Sequence, residues 1–141
     1  MFKEVLMADF KYGDLTEKII GAAFRVHNTL GNGFQEVIYQ RALEMELNES
    51  KLVYAREFEM PIYYKGKQIG ERRVDFLVDK KISVELKAIT KLEPVHYAQA
   101  RNYLEAYNLE VGLLINLGSI SLEFKRLQNP KFVYPFTPQN L

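Results

Sequence analysis

Three side chains that could act together on a charged substrate lie close in the sequence: Asp75, Glu85 and Lys87. Two neighbouring carboxylates repel each other and need a cation to offset their charge. Mg²⁺ meets this need, because carboxylate oxygens, a backbone carbonyl, water and phosphate oxygens suit its coordination shell. Lys87 and Arg73 could instead neutralise the pair in a surface salt-bridge ladder, and the residue types alone favour that plainer alternative.

The hydrophobic pattern predicts how these side chains meet. Every other residue is apolar in two short runs, so we expect these six side chains to share one buried face: Val74, Phe76, Val78, Ile82, Val84 and Leu86. A three-residue loop at 79–81 then pairs Val78 with Ile82 and Phe76 with Val84. The same register places Asp75 directly opposite Glu85, with Cβ atoms roughly 4.5–5.5 Å apart, and Lys87 on the same side.

The elements that must position this hairpin follow from periodicity and turn signals. A capping box at 14–17 opens a helix over 15–30, and a second helix over 35–49 follows to complete an αα hairpin. A helix-start signal precedes Pro94, and that helix runs to Asn108. The predicted strands are Val53–Tyr64, Gln68–Val78, Ile82–Ile89, Val111–Leu117, which is buried on both faces, and Ser119–Leu127. The tail, 130–141, is expected to pack as an edge segment. The order ααβββαββ is that of a mixed α/β fold.

Length and composition exclude several classes of protein. The chain has 141 residues, with 19 Lys+Arg against 18 Asp+Glu and a net charge of +1, which predicts one domain over 1–141 without a polybasic coat. Locally, however, residues 65–91 are basic and residues 1–50 acidic. No Cys and only two His exclude disulfides, thiolate sites and a histidine-rich metal site. No secretory signal or membrane-spanning run is visible, so a soluble, cytoplasmic protein is expected.

Four sequence motifs in order resemble those of a known enzyme superfamily. Asp75 followed by Glu85-Leu86-Lys87 resembles the D…ExK core of the PD-(D/E)XK nuclease superfamily. Gln99 and Tyr103 are similar to the QxxxY motif of its RecB-type branch. The stretch from Gly33 through Glu36 to Tyr39 matches the signature of the GxxExxY proteins, a family assigned to this superfamily. Val74 stands where the superfamily name has proline, a position that is loosely kept.

The resemblance implies a restriction-endonuclease-like core, a mixed central sheet flanked by helices, that cuts phosphodiester bonds with Mg²⁺ or Mn²⁺. It implies metal ligation by Asp75, Glu85, the Leu86 carbonyl and Glu36. Lys87 would position or help deprotonate the attacking water, and Gln99 and Tyr103, which share a helix face, would orient Lys87, the water or a phosphate. The expected partner is nucleic acid, DNA being favoured over RNA, with targeting by a homodimer or a partner protein. The alternative is a catalytically silent module that binds nucleic acid or a protein on the same fold.

Several other residues have more than one interpretation. His27 is expected to be a hydrogen-bonded helix residue, although it could resemble the upstream histidine of RecB-type sites. His96 is expected at the surface, within reach of a phosphate. Tyr39 is expected in the core with its hydroxyl near the site, and Gly33 as a backbone device before the second helix. Four basic residues are candidate phosphate contacts, although each of them taken singly is more typical of a solvated charge: Arg72, Arg73, Lys91 and Arg101.

Overall fold

A computed structural model describes residues 12–134 and contains the predicted elements in the predicted order. The three helices are α1 (Gly13–Leu30), α2 (Glu36–Glu49) and α3 (Pro94–Ala106). The five strands are β1 (Tyr54–Tyr64), β2 (Lys67–Val78), β3 (Ile82–Lys87), β4 (Val111–Asn116) and β5 (Glu123–Gln128). Of the predicted edge segment at the C-terminus, residues 130–134 form no strand; the rest lies outside the described residues.

The strands form one sheet in the order β1-β2-β3-β4-β5. Strands β3 and β4, which α3 connects, are parallel, and the other neighbours are antiparallel. Every residue of β4 is buried, as predicted for a strand covered on both faces. The prediction of a mixed α/β fold with a central sheet flanked by helices is therefore confirmed.

Helices pack on both faces of the sheet and divide its core in two. The main cluster joins α1 and α2 to one face, through fully buried residues such as Ile19, Leu43 and Ile115. A smaller cluster on the other face joins α3 to β4 and includes Leu104 and Leu114. Because Leu114 and Ile115 alternate between the two faces, the short strand β4 anchors both layers.

Helix α1 begins differently from the prediction. It starts at Gly13, after Tyr12 in the left-handed region (φ 57°), and no side chain caps its N-terminus. The Thr16 hydroxyl donates back to the Tyr12 and Gly13 carbonyls, at 3.1 Å each. The predicted capping box is therefore wrong, because Asp14, its expected N-cap residue, already lies in the first turn of the helix. No helix within residues 12–134 is long and apolar enough to cross a membrane.

Strand β2 changes faces in its middle. Phe76 and Val78 belong to the main cluster, but Val74 packs with Leu77 in a third cluster. Residues three apart in a regular strand lie on opposite faces, so the alternation breaks between Val74 and Leu77. On the neighbouring strand, Glu57 has a φ of 52° and is missing from the β1–β2 register. The expectation that all six apolar residues share one face is therefore wrong for Val74.

The segment that follows β3 is clamped by the end of β4. The side chain of Asn116, fully buried, accepts from the Ile89 N–H at 3.0 Å and donates to the Ile89 carbonyl at 2.9 Å. Gly118 also lies against this segment: a Cβ built there would come within 2.6 Å of the Ile89 oxygen and closer still to the Ala88 carbonyl carbon. These contacts fix the chain just beyond Lys87. Residues 119–122 lie outside β5, which starts at Glu123 and therefore later than predicted.

Candidate active site

Asp75 lies where β2 separates from β3. The ladder pairs Val78 with Ile82 and Phe76 with Val84, as predicted, but it ends there. The Asp75 carboxylate instead accepts a hydrogen bond from the Leu86 N–H, with 2.7 Å between nitrogen and Oδ2. The simple register predicts that the two acids are directly opposed in the ladder, and this prediction is therefore wrong. Asp75 contacts the β3 backbone directly beside Glu85.

A second hydrogen bond holds the Asp75 carboxylate from the helical side. The Gln40 amide nitrogen of α2 donates to Oδ1 at 2.9 Å. Burial raises the pKa of Asp75, while the bonds from Leu86 and Gln40 and the charge of Lys87 lower it. The carboxylate is thus oriented by two donors in an environment that disfavours its charge.

Glu85 is the most buried acid of the cluster, with 7% of its surface exposed. Its Oε1 accepts from the Arg72 guanidinium at 3.3 Å, whereas its Oε2 is buried without a hydrogen-bond partner among residues 12–134. Burial raises the pKa of Glu85, and the charges of Lys87 and Arg72 oppose that rise. A buried polar atom without a partner costs about 1–3 kcal/mol. A positively charged partner would offset this cost.

Lys87 stands at the end of β3, half-buried and level with Asn116 of β4. Its positive charge lowers the pKa of Asp75, Glu85 and Glu36, yet in the described part of the chain it has no ion pair within 4 Å. The positive charge of Lys87 therefore acts on three carboxylates, but in the described residues it forms an ion pair with none of them.

Glu36 occupies the first turn of α2, at the mouth of the cluster. Partial burial of its carboxylate and the negative charge of Asp75 raise its pKa. A cleft of about 300 Å³ opens beside it. The cleft is lined by Glu36, Val37, Gln40, Glu57, Arg73, Val74 and Asp75. Two of the three predicted acids thus line one opening, whereas Glu85 is not among its lining residues.

The chemistry of these groups fits a hard divalent cation. Within residues 12–134 no three His, Asp or Glu side chains converge as a ready-made ligand set. Mg²⁺ does not require such a set, because it usually keeps several waters and takes one or two carboxylates plus substrate phosphate. Asp75 and Glu85 supply two carboxylates, and the unpartnered Oε2 of Glu85 needs a positive partner. The residues present therefore fit the expected Mg²⁺ or Mn²⁺.

We expect Glu85→Gln to stabilise the protein at neutral pH in the presence of a chelator. The raised pKa means that the folded state binds this proton more tightly than the unfolded chain. Below its ordinary pKa of 4.5 the Glu85 carboxyl group is protonated and does not destabilise the fold. As the pH rises through the folded-state pKa, ionisation of this buried group increasingly lowers the free energy of unfolding. At about pH 7.5 the variant should melt a few degrees above the wild type, and near pH 4 the difference should vanish.

A matched control for that measurement is Glu59→Gln, which removes an exposed carboxylate paired with Arg73. Exposed pairs contribute about 0–1 kcal/mol, so this variant should melt close to the wild type at both pH values. A melting temperature for Glu85→Gln below that of the wild type at neutral pH would show that the Arg72 pair outweighs the burial of the charge.

Not every predicted residue joins the cluster. The Tyr103 hydroxyl donates to the Arg73 carbonyl at 3.4 Å, and its ring lies 3.8 Å from the Arg72 guanidinium carbon. Gln99 is half-buried within α3, and its side chain makes no hydrogen bond in the described range. Lys91 is exposed, and so is Arg101, which lines a separate opening with Lys125. The basic residues beside the acids are thus Arg72 and Arg73.

The two histidines and the Gly33–Tyr39 stretch have structural contacts. His27 is buried and hydrogen-bonded to the Ser119 carbonyl at 2.9 Å, as expected for a hydrogen-bonded helix residue. His96 Nδ1 accepts from the Glu93 N–H and completes the capping box of α3. Tyr39 is in the core, but its hydroxyl donates to the Gly31 carbonyl at 2.6 Å, so it holds the loop before α2. Gly33, with φ 106°, is the predicted backbone device in that loop.

Two residues at or near the site were not predicted from the sequence. Gln40 contacts Asp75, and Arg56 contacts Gln40. Gln40 follows Glu36 by four residues on α2, so the two share a helix face. This four-residue spacing could have predicted the role of Gln40, because a polar residue on the same helix face as a candidate acid points toward the same site.

Comparisons of the sequence and of the fold with known proteins found two similarities. A sequence profile of the PD-(D/E)XK nuclease superfamily matches residues 13–127. A solved structure described as "Crystal structure of SSO0001" is similar in fold, with a TM-score of 0.53 and 21% identity over 84% of this chain. The alignment spans 60% of that protein's length. A search of the curated proteins found no match. The five-stranded mixed sheet flanked by helices agrees with a restriction-endonuclease-like fold, and the chain belongs to the PD-(D/E)XK nuclease superfamily.

Proposed function

We propose that this protein is a Mg²⁺-dependent nuclease that hydrolyses phosphodiester bonds through Asp75, Glu85 and Lys87. The observation that carries the proposal is the buried Glu85 oxygen without a hydrogen-bond partner in the described range, near the half-buried carboxylate of Asp75 and a lysine that forms no ion pair there. A structural ion-pair ladder would satisfy that oxygen. Superfamily membership supports the proposed reaction class, and the unsatisfied Glu85 oxygen supports the proposed location of the metal site.

Each residue has a role that follows from its contacts. Asp75 and Glu85 would hold the metal, with the Leu86 carbonyl and, at the mouth of the cleft, Glu36. When bound, the ion would lower the pKa of a water molecule and stabilise charge on the phosphate. Lys87 would orient that water and, as an ammonium, offset the phosphate charge. For proton transfer it would first release its own proton and then accept the proton of the water. Arg72 and Arg73 lie beside the acids and would bind flanking phosphates.

We assign the chain, within the superfamily, to the GxxExxY proteins and the RecB-like branch. Support comes from the signature itself: Gly33 has the left-handed backbone that a side chain disfavours, Tyr39 holds the loop, and Glu36 faces the cleft. DNA is the favoured substrate. Because Arg73 is the one basic residue among the described residues that line the cleft, binding should be local, and a homodimer or a partner protein would supply targeting.

Calorimetric titration with Mn²⁺ tests the metal site directly. Asp75→Asn and Glu85→Gln each remove a charged ligand while keeping the shape of the side chain. We expect each to weaken Mn²⁺ binding about 100-fold or more, since even residues that only support metal ligands contribute 10–100-fold. Glu59→Gln, an exposed carboxylate on β1, should bind like the wild type.

The same preparations should be incubated with Mn²⁺ and single-stranded DNA, duplex DNA and RNA. Cleavage by the wild type but by neither ligand variant supports a nuclease. Binding of nucleic acid without cleavage, together with wild-type Mn²⁺ affinity in both variants, would overturn the proposal and favour a catalytically silent binding module.

A further inference from the structure

A relay of side-chain hydrogen bonds runs from Arg56 through Gln40 to Asp75. Gln40, 5% exposed, lies between Arg56 and Asp75. Its amide oxygen accepts from Arg56 Nε at 3.0 Å and from Nη2 at 2.9 Å. Its amide nitrogen donates to Asp75 Oδ1 at 2.9 Å. One buried amide thus joins a strand β1 arginine to a proposed metal ligand on β2.

The chemistry of the two partners determines which way this amide faces. A guanidinium only donates hydrogen bonds, and an ionised carboxylate only accepts them. The amide oxygen of Gln40 must therefore face Arg56, and its NH₂ group must face Asp75. A flipped amide would set donors against donors and an oxygen against a carboxylate. Arg56 consequently locks Gln40 as a donor to Asp75.

Arg56 is itself held in place by α2. Its Nη1 donates to Glu44 Oε1 at 3.1 Å, and Glu44 Oε2 accepts from the Tyr54 hydroxyl at 3.0 Å. Gln40 and Glu44 are four residues apart and so lie on one helix face. Tyr54 and Arg56 are two residues apart on β1, as befits one face of a strand. The relay therefore fixes Asp75 relative to two elements of the fold.

We propose that Gln40, locked by Arg56, is a positioning residue that holds the Asp75 carboxylate in the orientation that binds the metal ion. This inference rests on the proposed metal-dependent function. It goes beyond that function because neither Gln40 nor Arg56 belongs to the motifs of the resemblance. Supporting residues of this kind contribute about 10–100-fold to metal affinity in other proteins.

Calorimetric titration with Mn²⁺ distinguishes a positioning role of Arg56 from a purely electrostatic effect of its charge. Loss of a nearby positive charge should strengthen cation binding, whereas loss of the relay should weaken it. We expect Arg56→Met to bind Mn²⁺ about 10–100-fold more weakly than the wild type, and Arg56→Lys, which still donates to the amide oxygen, to recover much of that loss. Gln40→Met should weaken binding by a similar factor. Arg41→Met removes the same charge from an exposed position of α2 and should bind as tightly as the wild type or more so.

The outcomes are distinct. Wild-type affinity in folded Gln40→Met, or tighter binding in Arg56→Met, would overturn the positioning role and leave the nuclease proposal standing. No Mn²⁺ binding by the wild type itself would overturn the proposed function, and this inference with it. Melting curves identify any variant that fails to fold, and the comparison of Arg56→Met with Arg56→Lys remains decisive if Gln40→Met is such a variant.

A spectroscopic measurement on the metal-free protein provides a second readout. In ¹⁵N-edited NMR the two amide protons of Gln40 should give separate signals that exchange slowly with water, because the group is buried and bonded. Arg56→Met should shift these signals and speed their exchange, and Arg56→Lys should do so less. Unchanged signals in Arg56→Met would show that Arg56 does not lock the amide, and would overturn the proposal.

Discussion

Lys87→Met is expected to slow phosphodiester cleavage by about 10²–10⁴-fold while leaving Mn²⁺ binding intact or stronger. The ammonium faces three acids without an ion pair of its own among residues 12–134, so its charge is available to the water and the phosphate. Removing it leaves the proposed ligands in place and takes away a positive charge that competes with a metal ion. The measurement is the single-turnover rate at saturating Mn²⁺, with calorimetry on the same protein.

The matched control is Lys80→Met, which removes the same charge from the exposed β2–β3 turn and should cleave at the wild-type rate. Lys87→Arg separates two roles, because arginine retains the charge but does not give up its proton. Recovery of substrate binding without recovery of rate would indicate proton transfer by Lys87. Equal rates for Lys87→Met and the wild type would remove Lys87 from the mechanism.

Gly118→Ala is expected to lower the free energy of unfolding by about 3 kcal/mol, the upper range for forcing an extra carbon into a packed site. The added methyl would collide with the backbone of Ala88 and Ile89 rather than with a flexible side chain. Backbone there has little room to move, because the buried Asn116 side chain bonds both polar groups of Ile89. Urea denaturation of the metal-free protein measures the loss.

Gly70→Ala is the control for Gly118→Ala. Gly70 is exposed in β2, and a Cβ built there meets no atom within 4 Å. We expect a change below about 1 kcal/mol, in the stabilising direction, because alanine restricts the unfolded chain. A similar small change for Gly118→Ala would contradict the close packing of the two segments. If the large loss is observed, a fall in cleavage rate should accompany it, since Ala88 directly follows Lys87.

The parts of the fold that sequence analysis predicted well are those set by local chemistry. The β2–β3 register follows from alternating apolar residues around a three-residue turn, and the pairs Val78–Ile82 and Phe76–Val84 occur as expected. The left-handed residues of that turn, Asp79 and Lys80, allow the tight loop that the register requires. Strand β4 was identifiable because a continuous apolar run of that length is typical of a strand buried on both faces.

The departures arise where contacts between distant segments override local pattern. The separation of β2 from β3 at Asp75 depends on donors from Leu86 and Gln40, which no periodicity reveals. The role of Asn116 depends on the loop that follows β3, twenty-seven residues away in sequence. The prediction of a capping box at the start of α1 was wrong because the helix begins at Gly13 instead of Leu15, so that Asp14 lies in the first turn and not at the N-cap.

The β1–β2 hairpin continues past the end of β3, with pairs from Pro61–Glu71 to Tyr64–Lys67. Of residues 61–71, all but Ile62 are exposed, and two strands alone are only marginally stable. Helix α2, by contrast, is fixed in the main core through Tyr39, Leu43 and Leu47. The cleft thus lies between α2, which the core holds in place, and the base of this projecting hairpin. A bend in the exposed part of the hairpin would leave the core in place, and for the proposed nuclease it would let the protein adapt to nucleic acids of different thickness.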